Sequence, residues 1–147
     1  MSVRVWVPAT VDELAAWWAD RSVPAREGHA VTAALREAWP DGGDEEWEYA
    51  VLLAAAEHAA SLLRAPGRRV VVVVDADAVE EDQGTTVRLT APVPWQRLAA
   101  VHADPPGTTV PPAGPDTVPD VAAGQDAPEL CWYAVQEVPA VLGEAAD

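Results

Sequence analysis

Five consecutive valines, Val70 to Val74, restrict the fold of this chain more than any other segment. β-Branched side chains are stiff at χ1 and favour an extended backbone, and successive strand residues point to opposite faces. Such a run therefore carries apolar surface on both sides at once. It can be buried only in a strand covered on both faces, or covered on one and placed at the centre of a sheet. Pro66-Gly67 turns the chain before the run and an acidic stretch, Asp75 to Asp82, follows it. The spacing predicts a buried strand over Arg69 to Asp75.

Cover for that strand must come from helices. Thr10-Val11-Asp12-Glu13 has the capping-box pattern, in which the Thr hydroxyl and the Glu carboxylate satisfy orphan amides at a helix start. The helix it opens carries Leu14, Trp17 and Trp18 and fades near Ser22 to Pro24. Thr32 is the expected cap of a second helix, Ala33 to Trp39, ended by Pro40. The longest helix is expected from about Glu45 to Arg64, capped by Asp44, with Glu45, Glu46 and Glu48 near the positive helix end. At about 100° per residue, Trp47, Val51, Ala54, His58 and Leu62 share one stripe, and further leucines spread apolar surface round the helix, so it is expected to be largely buried.

Alternation marks the other strands: Val3, Val5 and Val7 before Pro8, a short piece at His29 to Val31, Thr85 to Ala91, and Leu98 to Ala103. Asp104 to Gly124 is rich in Pro, Gly, Thr and Asp without an apolar period and reads as a flexible surface insertion. After the cap signal Asp126-Ala127-Pro128-Glu129, the segment Leu130 to Val138 reads as an apolar helix stopped by Pro139. The order β-α-β-α-α-β-β-β-α suits a single domain over residues 1–147. Its expected class is α+β, a two-layer sandwich of a mixed sheet with helices mainly on one face; a three-layer α/β arrangement is the alternative.

The formal charge is −15 and there is no Lys, Ile, Asn or Phe. The four missing residues have AT-rich codons, so a high-GC genome accounts for the lack of Lys. The charge argues against nucleic-acid binding through phosphates and against an anionic membrane surface, and leaves a basic protein as a permitted partner. A solvated acidic surface that keeps the protein soluble is the plainest account of it. Cys131 is the single cysteine, which excludes an intrachain disulfide, and in an apolar helix it would be a small buried side chain. No signal-peptide layout and no uncharged apolar run of about 20 residues is present, so the cytoplasm is the expected location.

Arg4-Val5-Trp6-Val7-Pro8-Ala9-Thr10, Ala34-Leu35-Arg36-Glu37-Ala38-Trp39-Pro40, the Glu46-to-Ala56 helix, Arg68-Arg69-Val70-Val71-Val72 and Trp132-Tyr133-Ala134-Val135-Gln136-Glu137 can be taken together. With these segments the chain resembles an uncharacterised family of small actinobacterial proteins. The resemblance covers most of the chain except the Pro-rich insertion. It implies an intact fold and no assigned activity.

Few residues suggest chemistry. The valine run followed by Asp75-Ala76-Asp77 resembles the first motif of haloacid-dehalogenase-type phosphatases, where an Asp at a strand end is the nucleophile. That chemistry also needs a following helix, a cationic phosphate ligand and more carboxylates for magnesium. Here a hairpin is expected next, and an acidic turn after a buried strand accounts for the residues. Glu57 and His58 suit a metal or acid–base cluster with Glu137 or Asp75, but no second His stands at i+4, which favours a hydrogen-bonded core histidine. His102 is a similar candidate and His29 is expected to be exposed. Gln136 and Glu137 lie on the expected apolar helix, with Glu137 on the face of Leu130, Tyr133 and Ala134. A carboxylate there needs a partner, and Arg36, Arg4 or His58 can supply one. Trp6, Trp47 and Trp132 are read as core, while Trp17 and Trp18 cannot both face inward.

Phosphate-loop, nucleophile-elbow and paired C-x-x-C motifs are absent, and neither cofactor nor metal is expected. Two functions remain. One is a non-catalytic binding or regulatory domain meeting another protein through its acidic surface. The other is a small enzyme or ligand-binding protein with a pocket of Glu57, His58, Gln136, Glu137 and Arg36 between the two apolar helices.

Overall fold

The computed structural model describes residues 2–113 and 129–143. In chain order the elements are β1 (Val3–Ala9), α1 (Val11–Asp20), β2 (Ser22–Val23), β3 (Glu27–His29), α2 (Ala33–Ala38), α3 (Asp44–Leu62), β4 (Val70–Ala76) and β5 (Val79–Glu81). They continue with β6 (Thr86–Leu89), β7 (Val93–Pro94), β8 (Leu98–Ala103), β9 (Cys131–Tyr133) and α4 (Val138–Val141). Seven strands form one sheet in the order β5-β6-β3-β1-β4-β8-β9, and β2 and β7 form a separate pair. The class is α+β as expected, but every pairing in the sheet is antiparallel, so the sheet is not the mixed one read from the sequence.

The valine strand lies inside the sheet. β4 pairs with β1 from Val3↔Ala76 to Ala9↔Val70, and on its other side with β8 from Val70↔Ala103 to Val74↔Leu98. Val70, Val72 and Val74 join Val5, Val7, Leu14, Trp17, Val101 and Val138 in one core. Val71 and Val73 join Trp6, Val51, Ala55 and Ala100 in a second. Thus α1 and α4 cover one face and α3 the other. Both faces of the valine run are dry, as its period requires.

The Thr10 capping box forms as read, with Glu13 N–H donating to Thr10 Oγ1 at 3.1 Å and Thr10 N–H to Glu13 Oε1 at 3.1 Å. α1 ends at Arg21, which adopts left-handed φ of 57°, and its guanidinium lies over Trp18 and Trp95. Trp17 is buried, whereas Trp18 is half-buried and edge-on to Trp95. Thr32 caps α2 through Leu35 N–H, and Gly43 rather than Asp44 occupies the cap of α3.

Three expectations change. α3 buries only Val51, Ala55, Ala56, Ala59 and Ala60, and leaves Tyr49 and Leu53 outside. Four of the five buried side chains are alanines, small enough to let the helix axis approach the sheet closely. Residues Cys131–Tyr133 form an edge strand on β8, not a helix, followed by a 3-10 turn at Val135–Glu137. The apolar run is too short for its period to separate the two, and Pro139, read as a stop, lies in the first turn of α4, where a missing N–H costs nothing. On the edge strand Cys131 is half-buried and Trp132 is 61% exposed, so neither is a core side chain.

The start of the expected surface insertion is firmly held. Asp104 is fully buried, and its carboxylate accepts from Arg69 Nε at 2.9 Å, Arg69 Nη2 at 2.7 Å and Arg69 N–H at 2.7 Å. Arg68 donates to the carbonyls of Asp104 and Val141, tying α4 to the sheet. Val110 bridges Gly67, and Ala113 N–H donates to Ala60 of α3. The rest of that segment, from 114, and the cap signal at Asp126 to Pro128 lie outside the described residues.

Candidate functional site

The sequence-derived polar cluster does not assemble, because the second of its two helices is a strand and a turn. Glu137 is exposed, and its carboxylate accepts from Ala134 N–H at 2.9 Å, closing the 3-10 turn. Gln136 beside it is exposed as well. Arg36 lies over the Trp47 ring at 5.4 Å, and Glu57 is on the solvent side of α3. Asp75 pairs with Arg4 at 3.1 Å. Among Glu57, His58, Gln136, Glu137 and Arg36, His58 alone faces another histidine.

That partner is His29, expected to be exposed and in fact buried. The pairing Trp6↔His29 places it on the sheet face covered by α3, directly opposite His58. His29 Nε2 lies 2.9 Å from His58 Nδ1, and His29 Nδ1 lies 2.9 Å from Thr85 Oγ1. The rings meet edge to face, with centroids 5.2 Å apart. Burial, and then the neighbouring His58, push His29 down to about 4. Burial also lowers His58, with Glu27 opposing and Arg26 assisting.

Both rings are therefore neutral at pH 7, and each has one N–H and one bare nitrogen. The chain Thr85–His29–His58 can then run in two directions, and either direction dictates whether His58 Nε2 presents a proton or a lone pair to the outside. Thr32 Oγ1 donates to Gly84 carbonyl, Ala33 N–H to Glu81, and Ala30 N–H to Thr85 carbonyl, so the β5–β6 hairpin tip is held against the chain entering α2. His102, on β8 opposite Val71 and Trp132, is lowered by burial. Among the described residues no group of three His, Cys, Asp or Glu is placed to hold a metal ion.

The other notable surface lies at the corner of α2 and α3. Trp39, Glu45, Glu46, Tyr49, Ala50 and Leu53 line an open groove of about 510 Å³. Trp39, Tyr49 and Leu53 are 39%, 55% and 52% exposed. Trp47 Nε1 donates to the Trp39 carbonyl at 3.1 Å, and Gly42 packs between the two indoles, where an added Cβ would stand 2.7 Å from Trp47 Nε1 and 3.0 Å from Trp39 Cδ2. The groove wall is thus set by contacts within the corner. A smaller hollow between Asp75–Ala78 and Thr90–Arg97 is bordered by charges already paired, Asp75 with Arg4 and Asp77 with Arg97.

A family of unknown function, DUF6912, matches residues 3–142, from the first residue of β1 to the residue after α4. The chain belongs to DUF6912. No curated protein and no solved structure matches it. Membership supports the uncharacterised family named from the sequence and assigns no chemistry to either feature of this DUF6912 chain. Sequence reasoning missed His29, whose burial depends on a pairing between β1 and β3, and missed the groove, because α3 was expected to be largely buried. A signal for the groove did exist. Val51, Ala55 and Ala59 form a small-residue stripe at i, i+4 and i+8, and at 100° per residue Leu53 falls on its far side.

Proposed function

We propose that this domain is a non-catalytic binding module that meets a basic partner protein, in the cytoplasm, through the α2–α3 groove. The observation that supports it is the groove itself: three large apolar side chains left in solvent next to Glu45 and Glu46. Apolar groups gathered in one concave patch and rimmed by charge are the usual composition of an interaction surface. The formal charge of −15 adds long-range attraction for a cationic partner, which raises the association rate and weakens with salt. The same charge disfavours nucleic acid as that partner. No described helix is long and apolar enough to cross a membrane.

The test is paired capture from native lysate at low salt, with the wild-type chain and a Leu53→Arg variant. The variant places bulk and positive charge in the groove at an exposed helical position, so the fold tolerates it. A stoichiometric basic partner retained by wild type, lost by the variant and released by salt is the expected result. Absence of any stoichiometric partner, or equal capture by the variant, refutes the reading.

A further inference from the structure

We infer that the group recognised in the α2–α3 groove is an arginine side chain of the partner, its guanidinium laid on the Trp39 indole and paired with Glu45. The inference rests on the proposed docking role of this groove and names its ligand chemistry. The carrying observation is how this protein uses its own tryptophans. Arg26 lies over Trp17 at 5.0 Å, Arg21 over Trp18 at 4.7 Å and over Trp95 at 5.6 Å, and Arg36 over Trp47 at 5.4 Å. Trp6 is buried under α3. Among the described residues only Trp39 and Trp132 are exposed indoles without a cation above them, and of these Trp39 is the one in a groove with carboxylates.

The corner is prepared for such a ligand. Gly42 and Trp47 hold Trp39 in place, so little ordering remains on binding. Glu46 is occupied, its Oε1 accepting Gly43 N–H at 3.3 Å, whereas Glu45 has no hydrogen-bond or ion-pair partner among the described residues. Both carboxylates sit in the first turn of α3. Arg36, the nearest arginine in sequence, is engaged over Trp47. A guanidinium can stack flat on an indole while its edge donates two N–H groups to a carboxylate. Its methylene stem would lie along the apolar lining that Ala50 and Leu53 provide. An ammonium lacks the plane for stacking and is more strongly hydrated, which ranks lysine below arginine here.

The experiment titrates the full chain with three short peptides, identical except that a central arginine, between two leucines, is replaced by lysine or by citrulline. Trp indole N–H resonances report the site and the shift curves report affinity. The arginine peptide is expected to move the Trp39 resonance and to bind more tightly than the lysine peptide. The citrulline peptide, with the same stem and no charge, should bind weakest. Trp39→Leu is expected to reduce affinity about two- to fivefold, in line with an exposed cation–π contact, Trp39→Tyr less, and Glu45→Gln by a similar factor. Equal affinity for the three peptides, shifts centred on Trp132, or no binding at all overturns the inference. If the lysate partner is lost on Leu53→Arg yet retained by Trp39→Leu and Glu45→Gln, the docking role stands and the arginine assignment falls. If Leu53→Arg retains it, the docking role falls too.

Discussion

Acidification should destabilise this protein through His29, and the size of the loss follows from the ring's environment. In the folded chain His29 is 7% exposed, and burial with the neighbouring His58 holds its pKa at about 4, against 6.5 when solvated. A depressed folded pKa means that the unfolded chain takes up the proton first. The neutral ring's contribution is therefore complete above about pH 6.5 and declines as pH falls towards 4. Linkage between those two values gives a loss of about 2 kcal/mol from pH 7 to pH 5, and about 3 kcal/mol once both states are protonated. Groups close to the pair are Thr85, Glu27 and Arg26, and none supplies a carboxylate hydrogen bond that would hold the proton on His29. The assay is urea unfolding followed by Trp fluorescence at pH 7 and pH 5, for wild type and His29→Gln. Glutamine can still hydrogen-bond but does not titrate, and every other ionisable group is common to both proteins. Wild type should lose about 2 kcal/mol more than the variant. Equal losses, or a His29 ring resonance titrating near its solvated value, would refute the account of a desolvated neutral ring.

Two further outcomes test the packing. Asp104→Asn removes the charge from a fully buried carboxylate bonded twice to the Arg69 guanidinium, and should cost about 3–5 kcal/mol in chemical unfolding; pairing Asp104→Leu with Arg69→Met should restore a large part of the loss, and a cost under about 1 kcal/mol would place the pair among the weak surface bridges. Gly28→Ala puts a Cβ 2.7 Å from Val5 Cγ1 and 3.2 Å from the Trp6 carbonyl. Because Val5 is stiff and fully buried, the urea midpoint should fall by the equivalent of about 1–3 kcal/mol, and an unchanged midpoint would contradict the close approach of β3 to β1.

Local signals in this chain were readable wherever they were decided locally. The Thr10–Glu13 box, the Thr32 cap and the bounds Leu98–Ala103 depend on a few adjacent residues, and each stands where the pattern put it. The valine strand was readable because its period admits almost no other environment. His29 was not, since nothing near it in sequence states that Trp6 will be its neighbour across β1 and β3. Cys131–Tyr133 failed for a different reason: three residues with apolar neighbours on both sides fit a strand and a helix equally, and pairing with β8 decided the matter. On α3 the apolar content was read correctly, but the docking face was not. The sheet covers Val51 and four alanines, whereas Tyr49 and Leu53 stay in solvent and line the groove.

The valine strand also has a consequence for the route to the folded state. Its two sheet neighbours are far away in the chain, β1 some sixty residues earlier and β8 after the β5–β6 hairpin. Pairings so distant form late, because loop closure must precede them. Until then a run of five valines is a sticky segment of high β-propensity with no cover. Arg68 and Arg69 precede it and Asp75 and Asp77 follow it, a placement that works as a charged gatekeeper on each flank. In the folded protein these charges no longer repel other chains: Arg69 is closed on Asp104, Asp75 on Arg4 and Asp77 on Arg97. The same four residues thus guard the nascent strand against self-association and then stitch its ends to the rest of the domain.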